Sequence, residues 1–521
     1  MDERMRYLES NKDRELRRWF KHDLTHAHLR EIQIKTGDIR GLSSLNLPLE
    51  FPITAIAGKN GSGKSTILAI ACCAYHNKKD GFKAPNRKQS YYTFADFFIQ
   101  HKEEIPPSGI EILYRIAHDN WRKTPSSPDG KGIGYQLRVK KKGKWNEYGT
   151  RVKRNTVFVG IERIVPHSEK SQSKSYKRYF SSTGPKEWEI KVKEIVGYIL
   201  NRKYDHFKLT SHSKYRLPIA SSSGVVFSGF NMGAGENALF EIFSTIYSCP
   251  EGALFVIDEI ELGLHIEAQK RFINKLKNVC LEQRCQIICT THSKEVFECL
   301  PDEARIFIER VGGNTRATTG ISAELAFAKL SAQNSSELLI LVEDDVAKIL
   351  VSTILPSEIR SRVRIENIGS SSALCVQLAA EFNRSKKNNI LVVFDGDQKQ
   401  KEKHNKKHTL KTSEKAEDGF EEWFAENISY LPGNSWPELW ILDLNKKNIS
   451  ITSKLTQTEE SNLTEIIDSG IAAGKHNEFH EIGKLLGLSR EQAIFSFCTG
   501  IATLQTEETK DLLEKIIKKI K

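Results

Sequence analysis

Residues 58–66, Gly58-Lys59-Asn60-Gly61-Ser62-Gly63-Lys64-Ser65-Thr66, fit the pattern G-x-x-x-x-G-K-[ST], with the fixed positions at Gly58, Gly63, Lys64 and Ser65. An apolar run, Ile53 to Ala57, precedes them and a helix-compatible run, Ile67 to Ala71, follows. A strand, a glycine-rich loop and a helix in that order make a phosphate cradle. The glycines let backbone N–H groups turn inward on the phosphates, and the helix N-terminus adds partial positive charge. In such a loop Lys64 reaches the β- and γ-phosphates and Ser65 holds Mg²⁺. The expected ATP contacts are Gly58, Asn60, Gly61, Gly63, Lys64, Ser65 and Thr66. The chain reads as nucleotide-binding.

A chain of 521 residues exceeds one ordinary core, and roughly two to four domains are expected. No apolar run is long enough to span a membrane. The charged start, Met1-Asp2-Glu3-Arg4-Met5-Arg6, lacks the apolar core of a signal peptide. The nine cysteines form no C-x-x-C pair and several lie in apolar runs, which suits buried thiols and a cytoplasmic location. The formal net charge of +12 suits a polyanionic partner. Its basic residues cluster at Lys140 to Lys144, Lys170 to Arg178 and Lys399 to Lys415.

Along the chain, residues 1–29 read as a charged helical lead-in and Leu29 to Lys35 alternates like a strand. Further strand-like runs are Ile110 to Tyr114 and Thr156 to Gly160, and residues 166–188 look like an exposed loop. No heptad pattern follows the phosphate loop, so long coiled-coil arms are not expected. A second αβ pattern starts near Ser335, with strand-like segments at Leu338 to Val342, Val363 to Glu366, Ile390 to Phe394 and Leu439 to Leu442. A small turn, Gly369 to Ser372, lies between the second and third, and a basic loop follows the third. Alternating strands and helices imply a small parallel sheet. The last stretch is helical by periodicity. The expected organisation is a lead-in at 1–29, a nucleotide-binding domain at 30–334, a parallel-sheet domain at 335–445 and a helical region at 446–521.

Ala253 to Glu259 is a buried-strand pattern ending in two acids. In a nucleotide site Asp258 sits behind the Mg²⁺ water shell and Glu259 polarises the attacking water. Alone the pattern is weak, because strands often finish in solvent-facing acids. Ile287 to Ser293 is a further apolar strand ending near His292, and Asn231 to Glu236 is a small-residue turn opening a helix. The order of these elements resembles the ABC-type ATPase head of SMC-like proteins, over about residues 30–310. The resemblance implies a head-to-head homodimer, or a higher even-numbered oligomer. In it Gly233, Gly235 and Glu236 of the Met232–Glu236 turn reach the partner's γ-phosphate. It further implies catalytic roles for Lys64, Glu259 and His292, a switch for the last, a lid glutamine at Gln100, and a loop at Glu261 to His265 after the catalytic acids. Gly233 stands where the family has its signature serine, which implies slow or partner-gated hydrolysis.

Beyond residue 335, Val342-Glu343 and Phe394-Asp395-Gly396-Asp397 end two of the predicted strands. On an extended chain Asp395 and Asp397 face one side. With Glu343 they could form a carboxylate cluster that binds divalent metal, Mg²⁺ or Mn²⁺. An Asp-Gly-Asp surface turn is the ordinary alternative. The glutamate strand, the Gly369 turn and the Asp-Gly-Asp strand, in that order, resemble a TOPRIM domain. An SMC-like ATPase followed by TOPRIM is similar to the OLD family of ATP-dependent nucleases and to ATPases of bacterial antiphage and retron systems. The family usually has Gly after the glutamate and an acid four residues on; Asp344 and Ala347 stand there, with Asp345 as a substitute acid. Glu417, Asp418, Glu421 and Glu422 are candidates for a second metal. The basic segment from Lys399 would put positive charge beside the acids, where DNA or RNA needs it, or would be a polar loop.

The resemblance thus implies an ATPase controlling a metal-dependent nuclease in antiphage defence. Two other readings stay open. One is a regulatory ATPase that senses infection and scaffolds a separate nuclease, toxin or retron-type partner. The other is a DNA-repair ATPase.

Overall fold

The computed structural model describes residue 7 and residues 9–520, apart from 78–80, 85–86, 106, 126–127, 142–144, 146–148, 166–168, 170–177, 183, 214, 312–313, 331–335, 385–388 and 414–418. Much of the expected loop at 166–188, most of the first two basic clusters, and Lys415, Glu417 and Asp418 therefore lie outside the described residues. The chain divides into two units, Tyr7–Gln333 and Asn334–Lys521.

Apolar runs without polar alternation demand burial on both faces, and the first unit supplies it. Its central sheet runs Asn314–Thr319, Arg305–Val311, Ile53–Gly58, Gln286–Thr290, Leu254–Ile257, Thr156–Val159 in spatial order. All neighbouring pairs are parallel except the antiparallel edge pair of the first two. Alternate residues feed opposite cores. Ala55, Ala57, Phe255, Ile257, Ile287 and Cys289 pack with the helices Glu187–Leu200, Ala234–Ser248 and Ile266–Glu282. Ile56, Leu254, Val256 and Ile288 pack with the helix Lys64–Cys72 and an antiparallel sheet. That sheet orders Asn46–Pro48, His28–Thr36, Ile110–His118 and Gly132–Lys140. A separate antiparallel sheet, His206–His212, Tyr215–Ser222 and Val225–Ser228, completes the unit. The lead-in is the helix Asn11–His22, closed by a capping box at Ser10 and Asp13.

The second unit is built on a four-stranded parallel sheet ordered Val363–Asn367, Leu338–Val342, Ile390–Phe394, Ile428–Tyr430. One face, through Ile340, Val342, Leu391 and Val393, packs on the helix Asp345–Ile354 and on the helices after Pro437. The other, through Leu341, Val392 and Phe394, packs on Ser371–Asn383 and Phe420–Asn427. The C-terminal helices therefore form a layer on this sheet.

Two local expectations change. Leu439 to Leu442 belongs to the helix Pro437–Lys447, which Pro437 opens with its preset φ; the fourth strand is the short Ile428–Tyr430. The basic segment after Asp397 is no loop: it is the 3-10 turn Gly396–Lys401 and the helix Glu402–Thr412. Among the described residues no helix is long and apolar enough to cross a membrane.

Candidate nucleotide and acidic sites

The phosphate loop leaves the strand Ile53–Gly58 between its neighbours Gln286–Thr290 and Arg305–Val311. Gly58 is required by crowding: a Cβ there would lie 2.3 Å from Ile308 O. Gly61 and Gly63 have φ of 76° and 98°, the left-handed region open to glycine. Gly63 caps the helix that starts at Lys64. Asn60, Gly61 and Ser65 are exposed along the loop, whereas Lys64 and Thr66 are buried. Lys64 Nζ donates to Gly58 O at 2.7 Å and to Lys59 O at 3.2 Å, so its ammonium sits inside the loop. Burial holds that ammonium below the usual lysine range, against the pull of Asp258, Glu259 and Glu261.

Asp258 and Glu259 follow the neighbouring strand Leu254–Ile257. Ser65 Oγ stands 3.5 Å from Asp258 Oδ2, a hydroxyl facing a carboxylate, and this oxygen donor set fits Mg²⁺. Thr290 Oγ donates to Asp258 Oδ1 at 2.5 Å and accepts from Glu259 N at 2.8 Å, tying the two acids to the next strand. Glu259 has φ 47°, a left-handed backbone that a side-chain-bearing residue keeps only under constraint. Arg163 supplies much of that constraint. It is 1% exposed, and its guanidinium donates to Asp258 O at 2.8 Å, to Gly160 O at 2.9 Å and to Glu259 O. The sequence marks the strand before Arg163 but not the residue. An arginine just past a buried strand is a weak signal, since two of its three partners are the backbone carbonyls of Asp258 and Glu259, far along the chain.

His292 is exposed just past the end of Gln286–Thr290, and its backbone N–H donates to Glu261 Oε1 at 2.5 Å. The strand end and the Glu261–His265 loop are thereby joined. That loop also meets the helix Ala234–Ser248. Gly233 is the exposed N-cap of this helix. A Cβ on Gly235 would lie 2.1 Å from Gly263 O. Glu236 accepts from Arg202 Nη1 at 3.1 Å and from Tyr204 Oη, so its carboxylate is engaged within the chain. Gln100 is exposed in coil after the short helix Phe94–Phe97.

The second unit gathers acids at the carboxyl edge of its sheet, the edge where open parallel sheets bind ligands. Val342 pairs with Val393, which sets Glu343 beside the end of the next strand. Asp395 N donates to Glu343 Oε1 at 3.3 Å. Asp395 is the N-cap of the 3-10 turn, so the two aspartates are not on an extended chain as expected. They remain within electrostatic reach, together with Glu343, Asp344 and Glu438. Asp395 is 8% exposed and its Oδ1 has no hydrogen-bond partner. Burial first, then the charges of Glu343, Asp344, Asp397 and Glu438, pushes its carboxyl up to about 9. Glu343 is raised too, chiefly by burial. A buried carboxylate oxygen with no donor, among like charges, fits a bound divalent cation.

The other expected acids fare differently. Asp344 Oδ1 accepts from Ala347 N at 2.8 Å and caps its own helix. Asp345 accepts from Asn367 Nδ2 at 2.7 Å. Glu421 pairs with Lys406 at 2.6 Å and Glu422 is exposed. Glu438 joins the acids without any signal in the sequence, because the short apolar run beside it does not separate a strand from the helix it forms.

No curated protein matches the chain. A family model described as "AAA domain, putative AbiEii toxin, Type IV TA system" matches residues 78–298. The matched stretch is under half of the chain; it holds Gly233 to Glu236, Asp258, Glu259 and His292 and begins after the phosphate loop. Among solved structures, the SMC head domain from Thermotoga maritima is 16% identical, with 56% of this chain and 98% of that one covered and a TM-score of 0.31. An Smc head bound to the C-terminal winged-helix domain of ScpA is 17% identical, covering 57% and 99%, with a TM-score of 0.36. A Pyrococcus furiosus Smc head with an extended coiled coil, bound to the C-terminal domain of ScpA, is 14% identical, covering 59% and 99%, at 0.33. With the phosphate loop that precedes it, the matched region gives the first unit the parts of a P-loop ATPase domain.

Proposed function

We propose that the chain hydrolyses ATP as an ABC-type ATPase and that this controls a TOPRIM-like, metal-dependent nuclease in its second unit, acting in antiphage defence. The observation that supports the first half best is the convergence of Lys64, Ser65, Asp258 and Glu259 around one loop. Lys64, released from the Gly58 and Lys59 carbonyls, binds the β- and γ-phosphates. The loop N–H groups and the helix N-terminus hold the remaining phosphate charge. Glu259 orients and deprotonates the attacking water, its direction fixed by Arg163 and Thr290. Mg²⁺, held by Ser65 and in outer shell by Asp258, would neutralise charge on the leaving phosphates. His292 would report the γ-phosphate to the Glu261–His265 loop. A second copy would supply Gly233 and Gly235 from the start of the helix Ala234–Ser248.

For the second unit, the orphaned Asp395 oxygen beside Glu343 and Asp397 supports metal-assisted phosphodiester cleavage. Mg²⁺ or Mn²⁺ there would activate water and stabilise the leaving oxygen. The helix Glu402–Thr412, rich in lysine and histidine, would bind the nucleic-acid backbone. One observation favours a regulatory ATPase that scaffolds a separate nuclease or toxin instead: Asp344 uses its carboxylate to cap a helix. Incubating the purified chain with plasmid DNA, ATP and Mg²⁺ or Mn²⁺ separates the two. Cleavage that Asp395→Ala abolishes while ATP turnover persists supports the nuclease. No cleavage with either metal supports the scaffold.

A further inference from the structure

Beside the Glu343, Asp395 and Asp397 cluster, three side chains that the proposed chemistry leaves unused come together. Asp344 follows the strand Leu338–Val342, Glu438 lies in the first turn of Pro437–Lys447, and His476 lies in the turn between Glu460–Ala472 and Glu478–Leu486. One ligand atom from each lies within 4.8 Å of the others. His476 Nδ1 is 3.2 Å from Glu438 Oε1. Glu438 is 2% exposed, and its Oε2 has no hydrogen-bond partner. Glu478 is buried within electrostatic reach of it, accepts from Trp436 Nε1 at 2.8 Å, and also leaves one oxygen without a partner. A carboxylate oxygen taken out of water with no donor is unfavourable until a proton or a cation meets it, and here it faces further carboxylates. The neighbouring Lys475 points to Asp397, 3.9 Å from its Oδ2, and so sits with the other acids.

We propose that Asp344, Glu438 and His476 bind a divalent transition-metal cation, at a site separate from the phosphate loop. Two carboxylates and one imidazole suit Mn²⁺ or Zn²⁺ better than Mg²⁺ or Ca²⁺, which take oxygen donors. Three protein donors leave coordination positions for water or a phosphate oxygen. Asp344 can cap its helix through Oδ1 and still offer Oδ2. The site draws ligands from the sheet edge and from two elements of the C-terminal helical layer, so a bound cation would tie that layer to the sheet. It stands on this geometry and not on the nuclease reading.

The test uses the full chain, free of nucleotide, with Mn²⁺ as the probe. Pulsed electron paramagnetic resonance detects an imidazole nitrogen bound to Mn²⁺. The phosphate loop and the Glu343, Asp395 and Asp397 cluster contain no imidazole, so the nitrogen signal is independent of both. The wild type should show nitrogen coupling and His476→Asn should lose it. In titration, Glu438→Gln should bind Mn²⁺ at least about tenfold more weakly. His476 has a side chain 63% exposed and a φ of 69°, which asparagine tolerates, so this variant should fold even if Glu438→Gln does not. A wild type without nitrogen coupling, or coupling that persists in His476→Asn, overturns the proposal. Absence of DNA cleavage leaves it standing.

Discussion

Glu259 carries the left-handed φ of 47° at the position expected to orient water, and the Arg163 guanidinium holds the carbonyls on either side of that strained link. Arg163→Lys keeps the charge but loses the planar fork. It should cost about 1–3 kcal/mol of stability through unpaired carbonyls. ATP turnover should fall while nucleotide binding holds, because Arg163 positions Glu259 without touching phosphate. Melting curves beside separate kcat and binding measurements check this; equal loss of both would contradict the positioning role. A second residue-scale prediction concerns His28, fully buried beside Asp23 and Arg154. Arg154 can only donate, so His28 Nδ1 accepts at 3.2 Å and Nε2 carries the proton to Asp23 at 2.9 Å. Burial pushes His28 down to about 3, aided by Arg154. The unfolded chain protonates this ring near the usual histidine value and the folded chain does not. Stability from this site is therefore full above that value and declines as pH falls toward 3, by about 1.4 kcal/mol per pH unit. His28→Gln, which can mimic the neutral ring, should flatten the fall in melting temperature between about pH 6.5 and 5 relative to wild type; an unchanged slope would contradict it.

At the scale of elements, the helix Ala234–Ser248 is held against the Glu261–His265 loop by two glycines facing each other. Gly235→Ala would drive a Cβ to 2.1 Å from Gly263 O. The helix start must shift, costing about 1–3 kcal/mol, and ATP turnover should fall with the melting temperature. Normal stability and turnover in this variant would show that the contact yields freely. Elements are legible where burial shows in the local pattern. The runs before Asp258, Glu343 and Asp395 are apolar throughout, and the one before Gly58 is apolar but for the buried Thr54, because parallel strands are covered on both faces. Leu439 to Leu442 shows the limit: four apolar residues suit a strand or a buried helix equally, and Pro437 is the nearest cue to the helix. Composition alone makes the lysine-rich segment after Asp397 look like a loop, yet Asn405 and Thr409, one turn apart, are its buried face. Arg163, Glu438 and His476 are not legible, since each acts through partners brought near only by packing.

The molecule has two units, the first with the parts of a P-loop ATPase domain and the second with a cluster of acids at a sheet edge. The matched family region lies within the first unit. If a second copy completes the nucleotide site, Glu259→Gln should trap it: with ATP and Mg²⁺ the variant should accumulate dimers in sedimentation velocity, and without nucleotide it should not. Whether ATP is bound and broken at this loop is decided by steady-state phosphate release from the purified chain and its Lys64→Ala variant. Mg²⁺-dependent turnover is expected in the wild type and none above background in Lys64→Ala. Equal turnover in both, or a wild type that neither binds nor hydrolyses ATP with Mg²⁺, would overturn the ATPase reading.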